Sequence, residues 1–269
     1  MKTLLALPLL ALPLCAADDA SSLIKRLIEA ERNNNRRAEQ YTYRQQTDRF
    51  VLDKKDKPRK TQSETHDVIF VEGMRYEKLI ARNGKPLNIR DQARVEKDMR
   101  QTAEERRRRE HPLPAGGIIT LSGGYGRDNI DLGSLSELLT LFDNRIAGEE
   151  EVRGHPSWVI ESTPRANYTP ANEHQRQVMI FRKKFWIDKS ETVLVRSIYT
   201  VTSPDSIFDP GSSLTFESEK IDQYVWEVVS LTLNFSRLRT IYHMSQFKKF
   251  DVQSTITVDP APDANGPPR

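Results

Sequence analysis

The chain has 269 residues, of which 41 are Lys or Arg and 38 are Asp or Glu, for a formal charge of +3. That near balance excludes the concentrated excess of one sign by which a protein engages nucleic acid or an anionic membrane surface. Cys15 is the single cysteine, so no disulfide framework holds the fold, and a lean core drawn from 37% apolar residues has to suffice.

The first residues read as a secretory leader. Lys2 gives a positive start, Leu4 to Leu14 is apolar, Cys15-Ala16-Ala17 offers small residues for cleavage, and Asp18-Asp19 follow. The apolar run is far shorter than the about 20 residues a bilayer-spanning helix needs. The expected division is a signal peptide over residues 1–17, one domain over 18–258, and a Pro-rich polar tail over 259–269 that is expected to be disordered. Export follows, and the periplasm as its destination is what the family resemblance given below implies. The alternatives are an extracellular protein, or one anchored through acylated Cys15. Leu14 stands where a lipoprotein signal carries a small residue, which favours ordinary cleavage. Nothing downstream is long and apolar enough to be an integral membrane span.

Residues 21–40 are predicted to form a helix, with Leu23, Ile24, Leu27 and Ile28 as one stripe and Lys25, Arg26, Glu29 and Arg32 off it. Three strands follow at 41–52, 60–71 and 74–81. A charged turn at 53–58, Gly73 and the Asn83-Gly84 hairpin signal separate them and lead into a short fourth strand at 85–89. Residues 91–110 turn helical on a thin stripe of Ala93, Val95, Met99 and Ala103. That helix ends in Arg106-Arg107-Arg108-Arg109. The run reads either as a phosphate or headgroup patch or as a solvated face offset by its own acids. The second is favoured, because four consecutive residues point around a helix.

Residues 111–127 are Pro- and Gly-rich and predict a loop. No Lys follows Gly123 or Gly124, and Gly124-Tyr125-Gly126 lacks a third glycine, so neither a P-loop nor a dinucleotide turn is present. Leucines over 131–144 predict a short buried helix, and residues 91–144 together form an insert between strands. A strand pair at 145–152 and 157–163, a polar loop at 164–175, a hairpin at 178–201, a loop at 202–213, one or two strands over 214–235 and a last strand at 243–258 complete the chain.

The hairpin is the most informative stretch. Two β-branched and aromatic runs flank Asp188-Lys189-Ser190-Glu191. Met179, Phe181, Phe185 and Ile187 alternate with Val178, Ile180, Arg182, Lys184 and Trp186, so neither face is purely polar. Two readings stay open: a sheet packed between helices and loops, or a sheet curved around a cavity. In the second, Phe181, Phe185, Trp186, Ile198 and Tyr199 are the candidate lining residues, on whichever face turns inward.

Catalytic chemistry finds little support. His66, His111, His155, His174 and His243 are scattered, with no His-Glu-x-x-His pair, no calcium loop and no Gly-x-Ser-x-Gly elbow. The leader removes the one cysteine. Trp158, Trp186 and Trp226 read as core aromatics or as walls of a sugar or lipid site. No catalytic residue, metal site or cofactor is expected.

A family resemblance rests on Phe185-Trp186-Ile187-Asp188 followed by Val193-Leu194-Val195-Arg196. Residues 145–160 and Phe247-Lys248-Lys249-Phe250-Asp251-Val252 add to it, in the order leader, helix, meander, helical interruption, strands. The chain resembles the periplasmic lipoprotein-carrier superfamily, the LolA/LolB-like proteins. The resemblance implies a mainly β fold with helices (α+β), an incomplete antiparallel barrel or curved sheet wrapped on the N-terminal helix and the inserted helices. It also implies a non-enzymatic cell-envelope protein whose apolar cavity binds a lipid, acyl chain or lipoprotein. The alternative is an interaction or sensor module that docks an envelope protein without carrying lipid. The insert over 91–144 is long for the family, and the arginine that latches the carrier's lid has no assigned counterpart here.

Overall fold

The computed structural model describes residues 19–55, 57–108, 132–203 and 208–250. The leader, Cys15, the Gly-rich loop and the tail lie outside them. Eleven strands form one antiparallel sheet: β1 (Tyr41–Leu52), β2 (Pro58–Val71), β3 (Met74–Arg82), β4 (Lys85–Pro86), β5 (Phe142–Val152), β6 (His155–Pro164), β7 (Phe181–Asp188), β8 (Leu194–Val201), β9 (Ser213–Asp222), β10 (Val225–Phe235) and β11 (Leu238–Lys249). Their order is β4-β3-β2-β1-β11-β10-β9-β8-β7-β6-β5, and the two end strands do not pair, so the sheet is open. All neighbours but one are consecutive in the chain. The exception joins β1 to β11 in a register that sets Tyr41 opposite Lys249. That pairing welds two meanders into one sheet.

Helix α1 (Ala20–Ala38) begins where the Asp19 side chain accepts the Ser21 N–H, and it buries Leu23, Ile24 and Leu27 completely. These three pack on Ile160, Phe185 and Ile187 of β6 and β7. The side of the sheet under α1 is called the helix face below. In register across six strands it carries Phe185, Ser197, Phe216, Leu231, Tyr242 and Thr47.

Four elements depart from the sequence expectation. The fourth strand shrinks to Lys85–Pro86, because Pro86 has no N–H to extend the ladder and Asn88 accepts the Asp91 N–H to start helix α2 (Ile89–Arg108). The leucine-rich helix is only a 3-10 turn at Leu135–Glu137 and one α-turn, α3 (Leu138–Leu141). Asn144 donates to the carbonyls of Leu138 and Phe142 there, which ends the helix and lets Phe142 open β5. Helix α4 (Glu173–Met179) replaces the end of a predicted loop and the start of a predicted strand, with Asn172 capping the Gln175 N–H at 2.9 Å. Its Val178 packs so closely on Gly133 that a Cβ there would stand 2.8 Å from it, and φ is +71°. The last strand starts at Leu238 rather than at residue 243, paired with β10 through a tight turn.

The arginine run is settled in part. Arg106 donates to the carbonyls of Val71 and Met74 at 2.8 Å and of Arg75 at 2.9 Å, and Arg107 pairs with Glu72. The run therefore ties α2 to the β2–β3 turn. Ala103 is the one residue α2 buries, which matches the thin apolar stripe.

Candidate functional site

The buried side of α1 follows the spacing Ile24, Leu27, Glu31, Asn34, Ala38, steps of three and four that keep one face. Its first half is apolar and fills the space over β6 and β7. Its second half turns polar at Glu31 and Asn34, over β8 to β10. Glu31 accepts the Leu194 N–H at 2.8 Å. Asn34 exchanges two hydrogen bonds with the backbone of Trp226. The register shift between β7 and β8 at Trp186/Ile187 falls opposite Leu194, where that N–H turns to the helix.

Polar side chains hold α1 off the strands here, and a cleft of about 150 Å³ remains. Glu31, Asn34 and Asn35 line it from α1, and Leu194, Ser197 and Tyr199 from β8. Phe216 and Ser218 of β9 and Trp226, Glu227 and Val228 of β10 complete it. Burial pushes the Glu31 carboxyl up to about 7, against the Leu194 N–H, which lowers it, and with the charge of Glu227, which raises it. Glu227 is ion-paired with Arg75 at 2.8 Å, and Arg75 also donates to the Ala38 carbonyl that ends α1. Burial likewise lifts the Tyr199 phenol to about 12, so it stays neutral.

The five predicted lining residues separate onto two faces. Phe181, Phe185 and Tyr199 share the helix face. Phe181 and Phe185 are each 1% exposed and sit in core clusters. Tyr199 stands edge-on to Phe185 and Phe216 and reaches the cleft. Trp186 and Ile198 alternate to the other side of the sheet. Trp186 packs with Val152, Val159, Val193, Val195 and the Trp226 that also borders the cleft, and its Nε1 donates to Glu150 at 2.7 Å. Asp188 of the same motif is a turn cap. Burial alone would raise its carboxyl, but bonds from the Ser190 hydroxyl and the Glu191 and Ser190 N–H groups hold it below the usual range.

Glu31 and Asn34 are polar lining residues that sequence reasoning leaves out of the site, whereas Trp226 enters it as a core aromatic or a wall of a sugar or lipid site. The available signal was the helical spacing: Glu31 and Asn34 lie four and seven positions after Leu27, on the same stripe. Lys183 is also unforeseen. It sits on the helix face between Phe181 and Phe185, 2% exposed, with Nζ 2.8 Å from the Leu132 carbonyl and 4.4 Å from the centre of the Phe142 ring. Among the described residues no three His, Cys, Asp or Glu side chains gather as a metal site, and no helix is long and apolar enough to cross a membrane.

An open antiparallel sheet with a helix laid over one face is the incomplete-barrel class expected from the Phe185–Asp188 motif. No family model and no curated protein matches the sequence. Among solved structures the chain is similar to a DUF1329 family protein of Desulfovibrio piger, at 15% identity and TM-score 0.41, over 87% of this chain and 94% of that one. A domain of Vibrio parahaemolyticus described as outer membrane lipoprotein-sorting is similar at 9% identity and TM-score 0.39, over 84% and 92%. A LolA superfamily protein of Nitrosomonas europaea is similar at 10% identity and TM-score 0.37, over 88% and 96%. Similarity at these scores carries no argument about function, which has to come from the cleft.

Proposed function

We propose that the chain is a non-enzymatic binding protein of the cell envelope that holds the apolar part of a lipid, acyl chain or lipoprotein between α1 and β8–β10. One observation carries this reading: Leu23, Ile24 and Leu27 in the first half of α1 are completely buried on β6 and β7, whereas beside Glu31 and Asn34 in its second half a cleft of about 150 Å³ stays open. The size sets the mode of binding. About 150 Å³ matches an enclosed apolar cavity that takes one benzene-sized molecule, and it is below the about 300–1,000 Å³ of a drug-sized site. The cleft thus suits one chain end or a small headgroup, with the remainder of the ligand outside or α1 displaced. Each CH₂ brought in contributes about 0.8 kcal/mol. Tyr199, Phe216, Trp226 and Val228 are the walls in this reading, and Phe181 and Phe185 support Tyr199 from the core.

The same reading takes residues 1–17 as an export leader, 18–258 as the mature domain with its insert over 91–144, and 259–269 as a tail. Native mass spectrometry of protein purified from the periplasm tests it. A bound lipid mass, removed by delipidation and restored by added lipid, is the expected result. No bound mass, together with no displacement of an apolar dye by alkyl-chain ligands, would overturn it and favour docking of an envelope protein partner.

A further inference from the structure

The charges in the cleft are of one sign. Its carboxyl walls are Glu31 and Glu227, its other polar walls are uncharged amides and hydroxyls, and among the described residues no Lys, Arg or His lines it. One Glu31 oxygen takes the Leu194 N–H, and the other has no hydrogen-bond partner among the described residues. Asn34 gives one N–H to the Trp226 carbonyl and its oxygen to the Trp226 N–H. The apolar walls are Leu194 and Val228 with the aromatic residues Tyr199, Phe216 and Trp226, a residue type that attracts cations. A carboxylate or phosphate head brought here meets like charge and finds no basic side chain among the lining residues, Arg75 being already paired with Glu227 and bonded to the Ala38 carbonyl. A head carrying several N–H donors and a positive charge meets a free acceptor on Glu31, a second carboxylate shared with Arg75, and aromatic neighbours.

We propose that the cleft selects amphiphiles with a primary ammonium head, seated between Glu31 and Glu227, and turns away amphiphiles of the same chain length with an anionic head. The proposal rests on the cleft-binding reading above and names the ligand class for that site. The groups facing Glu31 are the Leu194 N–H and the Tyr199 phenol on β8 and the Glu227 carboxylate on β10, the last already paired with Arg75 of β3. Tyr199, its phenol lifted to about 12, remains neutral between pH 5.5 and 8, and the Glu227 carboxylate is held in its ion pair with Arg75. Glu31 is then the group that changes, and an ammonium beside it favours its ionised form. Binding near neutral pH releases a proton from Glu31, and affinity for the ammonium rises with pH.

The test is calorimetric titration of delipidated mature protein with octylammonium, octanol and octanoate, at pH 5.5 and 7.5 and in two buffers of different ionisation enthalpy. At pH 7.5 octylammonium should bind about tenfold or more tightly than octanol, the ratio expected of one charge-assisted hydrogen bond. Octanoate should bind more weakly than octanol. The ammonium preference should shrink at pH 5.5, with net proton release at pH 7.5. Glu31→Gln keeps the acceptor for Leu194. It should lower octylammonium affinity about tenfold, abolish proton release and bring octylammonium and octanol to similar affinity. Equal binding of octylammonium and octanol, tighter binding of octanoate, or octylammonium binding without proton release would overturn the headgroup assignment and leave the apolar cleft standing. Absence of binding by all three would overturn both.

Discussion

Asn34 of α1 treats Trp226 as a strand neighbour would. Its Nδ2 donates to the Trp226 carbonyl and its Oδ1 accepts the Trp226 N–H, both at 2.8 Å, with Asn34 only 8% exposed. The position lies beside the register shift between Val225 and Trp226. One side-chain amide thus satisfies both backbone groups of a residue on β10 and sets how closely the helix approaches.

Asn34→Ala removes both bonds and leaves a buried N–H and carbonyl without partners. The expected loss is about 2–4 kcal/mol, read from urea denaturation midpoints. Asn34→Asp keeps an acceptor and carries a donor only while protonated, so it should fall between wild type and the alanine variant in acid and approach the alanine variant at neutral pH.

Glu31 makes stability depend on pH. Its carboxyl is raised from an ordinary 4.5 to about 7 in the fold. The folded state therefore binds a proton more tightly than the unfolded state does. The corresponding stability is fully present below pH 4.5 and is lost as pH rises through about 7. Glu31→Gln should melt with wild type at pH 4.5 and above it at pH 8. Coincident melting curves at both values would show that burial does not perturb this carboxyl.

Core and cleft can be separated by paired substitutions. Phe185 is buried among Leu27, Ile160 and Ile187, so Phe185→Ala should cost about 3–5 kcal/mol. Ser218 lines the cleft and leaves room for a larger side chain. Ser218→Leu should keep the denaturation midpoint within about 1 kcal/mol and abolish dye or lipid capture. Undiminished capture by the leucine variant would place the ligand elsewhere.

Arg106 anchors α2 with one guanidinium on three carbonyls. Arg106→Ala should raise amide hydrogen exchange across Ile89–Arg108 and leave the exchange of β6–β9 unchanged. Arg106→Lys should restore little, because an ammonium lacks the planar fork that reaches three acceptors.

Local periodicity determined a good deal from sequence alone. Alternation and turn residues placed most strands, since a hairpin needs only its own two runs and its turn. β1 and β3 fell within a residue of their predicted limits, and the apolar half of α1 was plain from Leu23, Ile24 and Leu27. Misplaced boundaries fell where side chains override propensity: Asn144 ending α3, Asn172 starting α4, and Pro86 stopping β4.

Alternation along β7 and β8 shows that two faces exist and cannot tell which one meets the helix, so Trp186 and Ile198 stood beside Phe181, Phe185 and Tyr199 in one candidate set. Only the docking of α1 separates them. The tertiary structure also decided the β1–β11 pairing, which joins the two ends of the described chain, and the meaning of Glu31 and Asn34. On a helical stripe those two look like the solvated end of an amphipathic helix. Against the strand backbones of Leu194 and Trp226 they become the spacers that hold a cleft open, because buried backbone groups at a register shift need partners that only a polar side chain on another element can supply.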